Sequence, residues 1–274
     1  MKLAVLGWAL GAAVSSQAMA QTYVVGVEDL QFLPHYSTDA QGRYQGFARE
    51  LLDRFASSCG VQLEYRPLPV ERLLPALLEG RVDLKYPDNP AWAEAQKAGH
   101  ALVYSQPVVQ YVDGVLVAPE RVGQGLPALK RLAVVDGWTP RGYQQAIEQG
   151  QLARLPSADL RQMIHQALKK EADGAYFNVV VATYYLDNLR ARPGALVFDP
   201  GLPHTRSDFR LSSERHPELV RCFDRFLVEQ AAQVAALKAR HGVEASLDPA
   251  HLGVEQWKLD YLERQKARQQ GGTP

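Results

Sequence analysis

Leu73-Leu-Pro-Ala-Leu-Leu-Glu-Gly-Arg-Val-Asp-Leu-Lys-Tyr-Pro-Asp88 reads as helix, tight turn and strand. Leu73, Leu74, Leu77 and Leu78 recur at helical spacing. Gly80 stops the helix where a residue without a Cβ sits most easily, and Val82-Asp83-Leu84 begins a strand. The stretch Met163 to Tyr176 repeats this grammar. There Met163, Ile164, Ala167 and Leu168 share one helical face, and Asp173-Gly-Ala-Tyr176 enters an apolar run. One α/β unit is thus made twice, which predicts an α/β chain of two similar lobes.

Around these units the chain alternates strand and helix. Tyr23–Val27 reads as the first strand, and Glu28–Tyr44 as a loop leaving its carboxyl end. Gly46–Ala56 carries apolar residues at positions 47, 48, 51, 52, 55 and 56, an amphipathic helix ended by Gly60. Val61–Tyr65 alternates as a second strand. Lys85–Trp92, with two prolines flanking Asp88-Asn89, reads as a loop of preset shape. In the second half Leu132–Val135 and Leu196–Phe198 read as strands. Thr139 before Pro140 reads as a helix N-cap, and Pro217–Ala239 as one helix.

Met1-Lys2, the apolar run Leu3–Val14 and Ala18-Met19-Ala20 have the form of a secretory signal peptide cleaved after Ala20, so the mature chain is expected in the periplasm. The 30 basic and 30 acidic residues balance, which gives no electrostatic reason to expect nucleic acid as a partner. The two cysteines, Cys59 and Cys222, would stand in an oxidising compartment.

A helix ending in L-x-x-G-[KR]-V-D before a short strand, found in both halves of an exported chain, resembles the family 3 periplasmic solute-binding proteins, the two-lobed amino-acid receptors of ABC importers. The first copy is Leu77-Leu-Glu-Gly-Arg-Val-Asp83 and the second, looser copy is Leu168-Lys-Lys-Glu-Ala-Asp173. Gly42-Arg-Tyr-Gln-Gly-Phe47 and Leu102-Val-Tyr-Ser-Gln-Pro107 match further family elements, and the likeness covers roughly Tyr23 to Gly242. It implies two parallel-type sheets joined by a two-strand hinge. Lobe one would be residues 21–110 and 201–250, lobe two residues 111–200, and residues 251–274 a helical tail. It also implies a monomer that binds a small solute and presents it to an ABC permease or another inner-membrane protein. No cofactor or metal is expected. If the return segment rejoins lobe one, as the family topology implies, Cys59 and Cys222 could pair; two buried thiols are the alternative.

Ligands of such folds sit beyond the carboxyl ends of parallel strands. The candidate ligand residues are therefore Tyr36, Asp88, Asn89 and Trp92 in lobe one, and Trp138, Thr139, Arg141 and Asn178 in lobe two. Lys85 and His35 stand beside them. Two family handles are missing. The arginine usual about a dozen residues after the first V-D is absent from Ala93-Glu-Ala-Gln-Lys-Ala98, and the aspartate usual five residues after the second V-D is Asn178. A zwitterionic α-amino acid is therefore a weaker expectation than family membership alone suggests. Asp88 could receive a cation, and Lys85 or Arg141 an anion. The chain lacks G-x-S-x-G, H-E-x-x-H, C-x-x-C and P-loop motifs, so it is not read as an enzyme. A strongly raised carboxylate pKa deep in the cleft would argue the other way. A periplasmic sensor or interaction protein on the same fold is the alternative to an importer receptor.

Overall fold

The structure is a computed structural model that describes residues 20–190, 192–245 and 247. Residues 1–19, where a signal peptide cleaved after Ala20 is expected, and the expected tail 251–274 lie outside the described residues. In chain order the described elements begin with β1 (Thr22–Glu28), β2 (Gln31–Phe32), β3 (Tyr36–Thr38), β4 (Tyr44–Gln45), α1 (Phe47–Cys59), β5 (Gln62–Leu68) and α2 (Val70–Leu78). Next come β6 (Leu84–Asp88), α3 (Glu94–Lys97), β7 (Val103–Tyr104), β8 (Val109–Val117), β9 (Arg131–Val135), α4 (Gln144–Glu148) and β10 (Ala153–Ser157). Then follow α5 (Leu160–Leu168), β11 (Gly174–Asn178), α6 (Val179–Tyr184), β12 (Val197–Phe198), β13 (Thr205–Ser213), α7 (Pro217–Glu229) and α8 (Ala231–His241).

The main sheet runs β10-β9-β11-β8-β13-β6-β1-β5. Its two ends are the two lobes: β1, β5 and β6 pair in parallel at one end, β9, β10 and β11 at the other. Between them β8 and β13 pair antiparallel, with Thr205 opposite Asp113 and Phe209 opposite Val109. The two repeated units are therefore two parallel-type sheets joined through the two-strand hinge pair β8–β13, as expected. The fold is the two-lobed one that the likeness implied.

Local sequence explains the elements. On α1, Phe47, Ala48, Leu51, Leu52, Phe55 and Ala56 form one buried face, and Gly60 at φ 66° closes the helix in the left-handed region. Phe55 packs edge-on to Phe223 of α7 at 5.0 Å, so the return segment joins the core of lobe one. Beside that contact Cys59 and Cys222 are bonded, with Cα atoms 6.3 Å apart. In the Leu73–Asp88 unit, Asp83 ties helix end to sheet. Its carboxylate accepts from Val24 N at 2.8 Å and from Arg215 at 2.9 Å. In the second unit Asp173 does the same work, accepting from the Lys130 and Arg131 backbone N–H groups.

Four readings of the sequence are corrected. The Glu28–Tyr44 loop contains the small sheet β2-β3-β4, whose members are too short to show alternation. The Lys85–Trp92 stretch is strand as far as Asp88. Pro87, which cannot donate to a ladder, falls where the register with β13 slips between Arg210 and Ser212. No helix starts at Pro140: Gly142 turns into the left-handed region at φ 84°, so α4 begins only at Gln144 and Thr139 caps nothing. The long helix after Pro217 is two helices that meet at Gln230.

Candidate ligand site between the lobes

Loops leaving β1, β6 and β9 and the carboxyl end of β11 converge on the hinge strands, and their aromatic side chains meet. Phe32 of lobe one lies 5.8 Å from Trp138 and 5.7 Å from Phe177 of lobe two, and Trp138 stacks on Phe177 at 4.4 Å. Phe209 of β13 forms the floor. It stacks on Tyr111 at 4.7 Å and touches His35, Trp92 and Phe32. Arg141 reaches from lobe two to donate to the Ala91 carbonyl at 3.0 Å. The lobes thus touch, and their contact is an aromatic seam.

The eight candidate residues divide. Trp92 and Trp138 are half-buried in the seam; the Trp92 indole N–H donates to Tyr111 Oη at 3.1 Å. Arg141 and Thr139 are exposed at the mouth. Asn178 is fully buried. It caps α6 by accepting from Val181 N at 3.1 Å, and its amide points to Asp113 at 3.4 Å. Tyr36, Asp88 and Asn89 face inward instead. Tyr36 donates to the Glu28 carboxylate inside lobe one. Asp88, only 1% exposed, is held by Lys85 at 3.0 Å, Lys97 at 3.1 Å and the Ser212 hydroxyl at 2.7 Å. Asn89 donates to Ser207 and to the Asp208 carbonyl, which pins the end of β6 to β13. A buried carboxylate shared by two ammonium groups is an internal ion cluster. Burial pushes the Asp88 carboxyl up, but Lys85 and Lys97, with Ser212, hold it below the usual range.

Three other titratable groups border the seam. Asp113 on β8 is half-buried, and burial raises its pKa to about 7 against the weaker opposing effects of the Asn178 amide and the Arg141 charge. Glu28 at the end of β1 is also raised, chiefly by burial, despite the Tyr36 hydroxyl. Burial lowers His35 to about 3, and neither ring nitrogen has a hydrogen-bond partner, so the imidazole is neutral. Tyr111, Asp113 and Phe209 were absent from the sequence-level candidates because they lie on hinge strands rather than on loops. The available signal was an acid in the otherwise apolar Asp113-Gly-Val-Leu-Val117.

A separate groove of about 520 Å³ is lined by Val108, Leu227, Val234, Lys238 and small residues of α8. Glu244, which pairs with Lys238 at 3.0 Å, also lines it, and it shares no residue with the seam. Among the described residues no group of three His, Cys, Asp or Glu side chains is placed to hold a metal ion.

The chain resembles solved structures at low identity. An ancestral arginine-binding protein bound to arginine superposes with TM-score 0.64 at 17% identity, covering 81% of this chain and 99% of that one. An arginine transport-system periplasmic binding protein from Legionella pneumophila gives TM-score 0.64 at 14% identity, over 81% of this chain and 100% of that one. A histidine kinase sensor domain similar to periplasmic binding proteins gives TM-score 0.64 at 18%, over 81% and 96%. No curated protein sequence matches the chain. At these identities the structures establish the fold. The sequence model of one family spans residues 23–241, and on that match the chain belongs to the bacterial extracellular solute-binding proteins, family 3.

Proposed function

We propose that this protein is a periplasmic receptor that captures one small polar solute between its lobes and delivers it to the permease of an ABC importer. The observation that carries the reading is the seam. Loops from the carboxyl ends of both lobes' strands meet across a two-strand hinge, the arrangement a closing receptor requires. Closure distinguishes bound from empty only if the solute touches both lobes. Trp92 and Phe32 on one side, with Trp138, Arg141 and Asn178 on the other, can supply such contacts. The ligand of the arginine-binding structures is not carried over to this chain, because the positions where the family pattern holds an arginine and an aspartate carry neither here.

Deleting the gene and measuring uptake of the identified solute tests the importer role. Uptake should fall to background; unchanged uptake would contradict delivery and favour a sensor on the same fold. Asn178→Ala is expected to weaken solute binding by about 1–3 kcal/mol if its amide pairs with the ligand. Its lost helix cap should cost about 1 kcal/mol of stability. Unchanged affinity in titration calorimetry would remove Asn178 from the site.

A second reading, acid–base chemistry on the bound solute, is favoured by the raised carboxyl of Asp113. It predicts a product; recovery of unaltered solute after prolonged incubation would contradict it.

A further inference from the structure

Asp88, which sequence places near the cleft, and Asp113, which the structure adds, differ in what holds them. Asp88 already has two ammonium partners, whereas Asp113 has no ion pair among the described residues. Its one hydrogen-bond partner is the Asn178 amide, at 3.4 Å, a distance that marks a weak bond. Asn178 is the position where the family pattern usually carries an acid, and it lies opposite Asp113 in the β11–β8 register. The negative charge missing from one strand is therefore present on the next, at the same height in the wall. Tyr111, two residues along β8 on the same face, stacks on Phe209, which joins Asp113 to the aromatic floor.

Resting on the receptor reading, we propose that Asp113 receives the positively charged end of the ligand, and that the ligand is an organic amine with a flat apolar body and no need of a carboxylate. Aromatic faces and one desolvated carboxylate are the chemistry that recognises such cations. On the opposite side Lys85 and Lys97 are spent on Asp88, and the remaining cation, Arg141, stands exposed at the mouth with its guanidinium donating to the Ala91 carbonyl. The groups facing Asp113 are Asn178 and Tyr176 from β11, Tyr111 from β8, Thr205 from β13, Arg141 from the loop after β9 and Glu28 from β1. Burial raises the Asp113 pKa to about 7, against the weaker opposing effects of the Asn178 amide and the Arg141 charge. Protons must then compete with the cation below about pH 7.

The test uses the refolded, ligand-free protein and three probes of one shape: 2-phenylethylamine, 3-phenylpropionate and L-phenylalanine. Calorimetry should show the amine binding more tightly than the other two. Its affinity should fall about tenfold between pH 8 and pH 6, since a carboxyl titrating near 7 goes from mostly ionised to mostly protonated over that range. Asp113→Asn should lose at least tenfold in amine affinity and all of this pH dependence while keeping a cooperative melting transition. Asp113→Glu should keep the pH dependence. Equal affinity in Asp113→Asn, preference for 3-phenylpropionate or L-phenylalanine, or silence from the amine would each overturn the inference. None of these outcomes overturns the receptor reading, which a broader screen decides.

Discussion

Asp88→Ala is expected to lower unfolding stability by about 3–5 kcal/mol at pH 7, a large share of what a domain of this size holds. Two ammonium groups, those of Lys85 and Lys97, lie within 3.1 Å of this carboxylate, and both side chains are at most 9% exposed. Removing the anion leaves two like charges buried together. The loss is limited because Lys97 can release its proton, a step already eased by burial. The Ser212 hydroxyl also loses its acceptor. Urea unfolding with an unchanged slope and a midpoint lowered to match would confirm the cluster's role; a change under about 1 kcal/mol would contradict it. The pH dependence has a fixed sign. Because the Asp88 carboxyl is held below its ordinary value of 3.8 in the folded chain, its contribution is complete above that value and disappears only as pH falls through the folded pKa.

Breaking the Cys59–Cys222 bond by double alanine substitution is expected to cost up to about 5 kcal/mol, the loop-entropy limit for a separation of 163 residues. The bond joins the end of α1 to α7, so it closes the first lobe onto its returning segment. Measured losses for such bonds run about 2–5 kcal/mol. A loss within that range in thermal or urea unfolding, reproduced by reducing agent on the native protein, supports a structural bond. Identical transitions for the reduced and oxidised forms would contradict it.

The repeated helix-turn-strand unit was legible in sequence because its signals are local: leucines at helical spacing, a glycine at a left-handed turn, and an aspartate beginning the next segment. Asp83 and Asp173 show why that aspartate belongs there, since Asp83 accepts the Val24 N–H of β1 and Asp173 the Lys130 and Arg131 N–H groups at the start of β9. The small sheet after β1 was not legible, because strands of two or three residues leave no period. The helix at Pro140 was misread because Gly142, two residues later, overrides a favourable cap. Position after a parallel strand pointed to the loops that carry Trp92, Trp138 and Arg141, which the structure brings to the seam between the lobes. It could not tell a side chain pointing into the cleft from one pointing into the lobe. Asp88 and Asn89 face into the lobe, held by Lys97 and by Ser212 and Ser207, the two serines lying far along the chain. Tyr111 and Phe209 stack because two hinge strands bring them together, and the same register sets Asp113 opposite Thr205, a pairing that no local pattern encodes.

The most direct measurement is a thermal-shift screen of the mature protein, unfolded and refolded to strip ligand, against amines, amino acids, small carboxylates and short peptides. Solute capture predicts that at least one compound, at a hundred times its dissociation constant, adds about 2.7 kcal/mol of stability, and that Trp138→Ala abolishes the shift. Unchanged transitions across the whole panel would contradict capture of a small solute between the lobes.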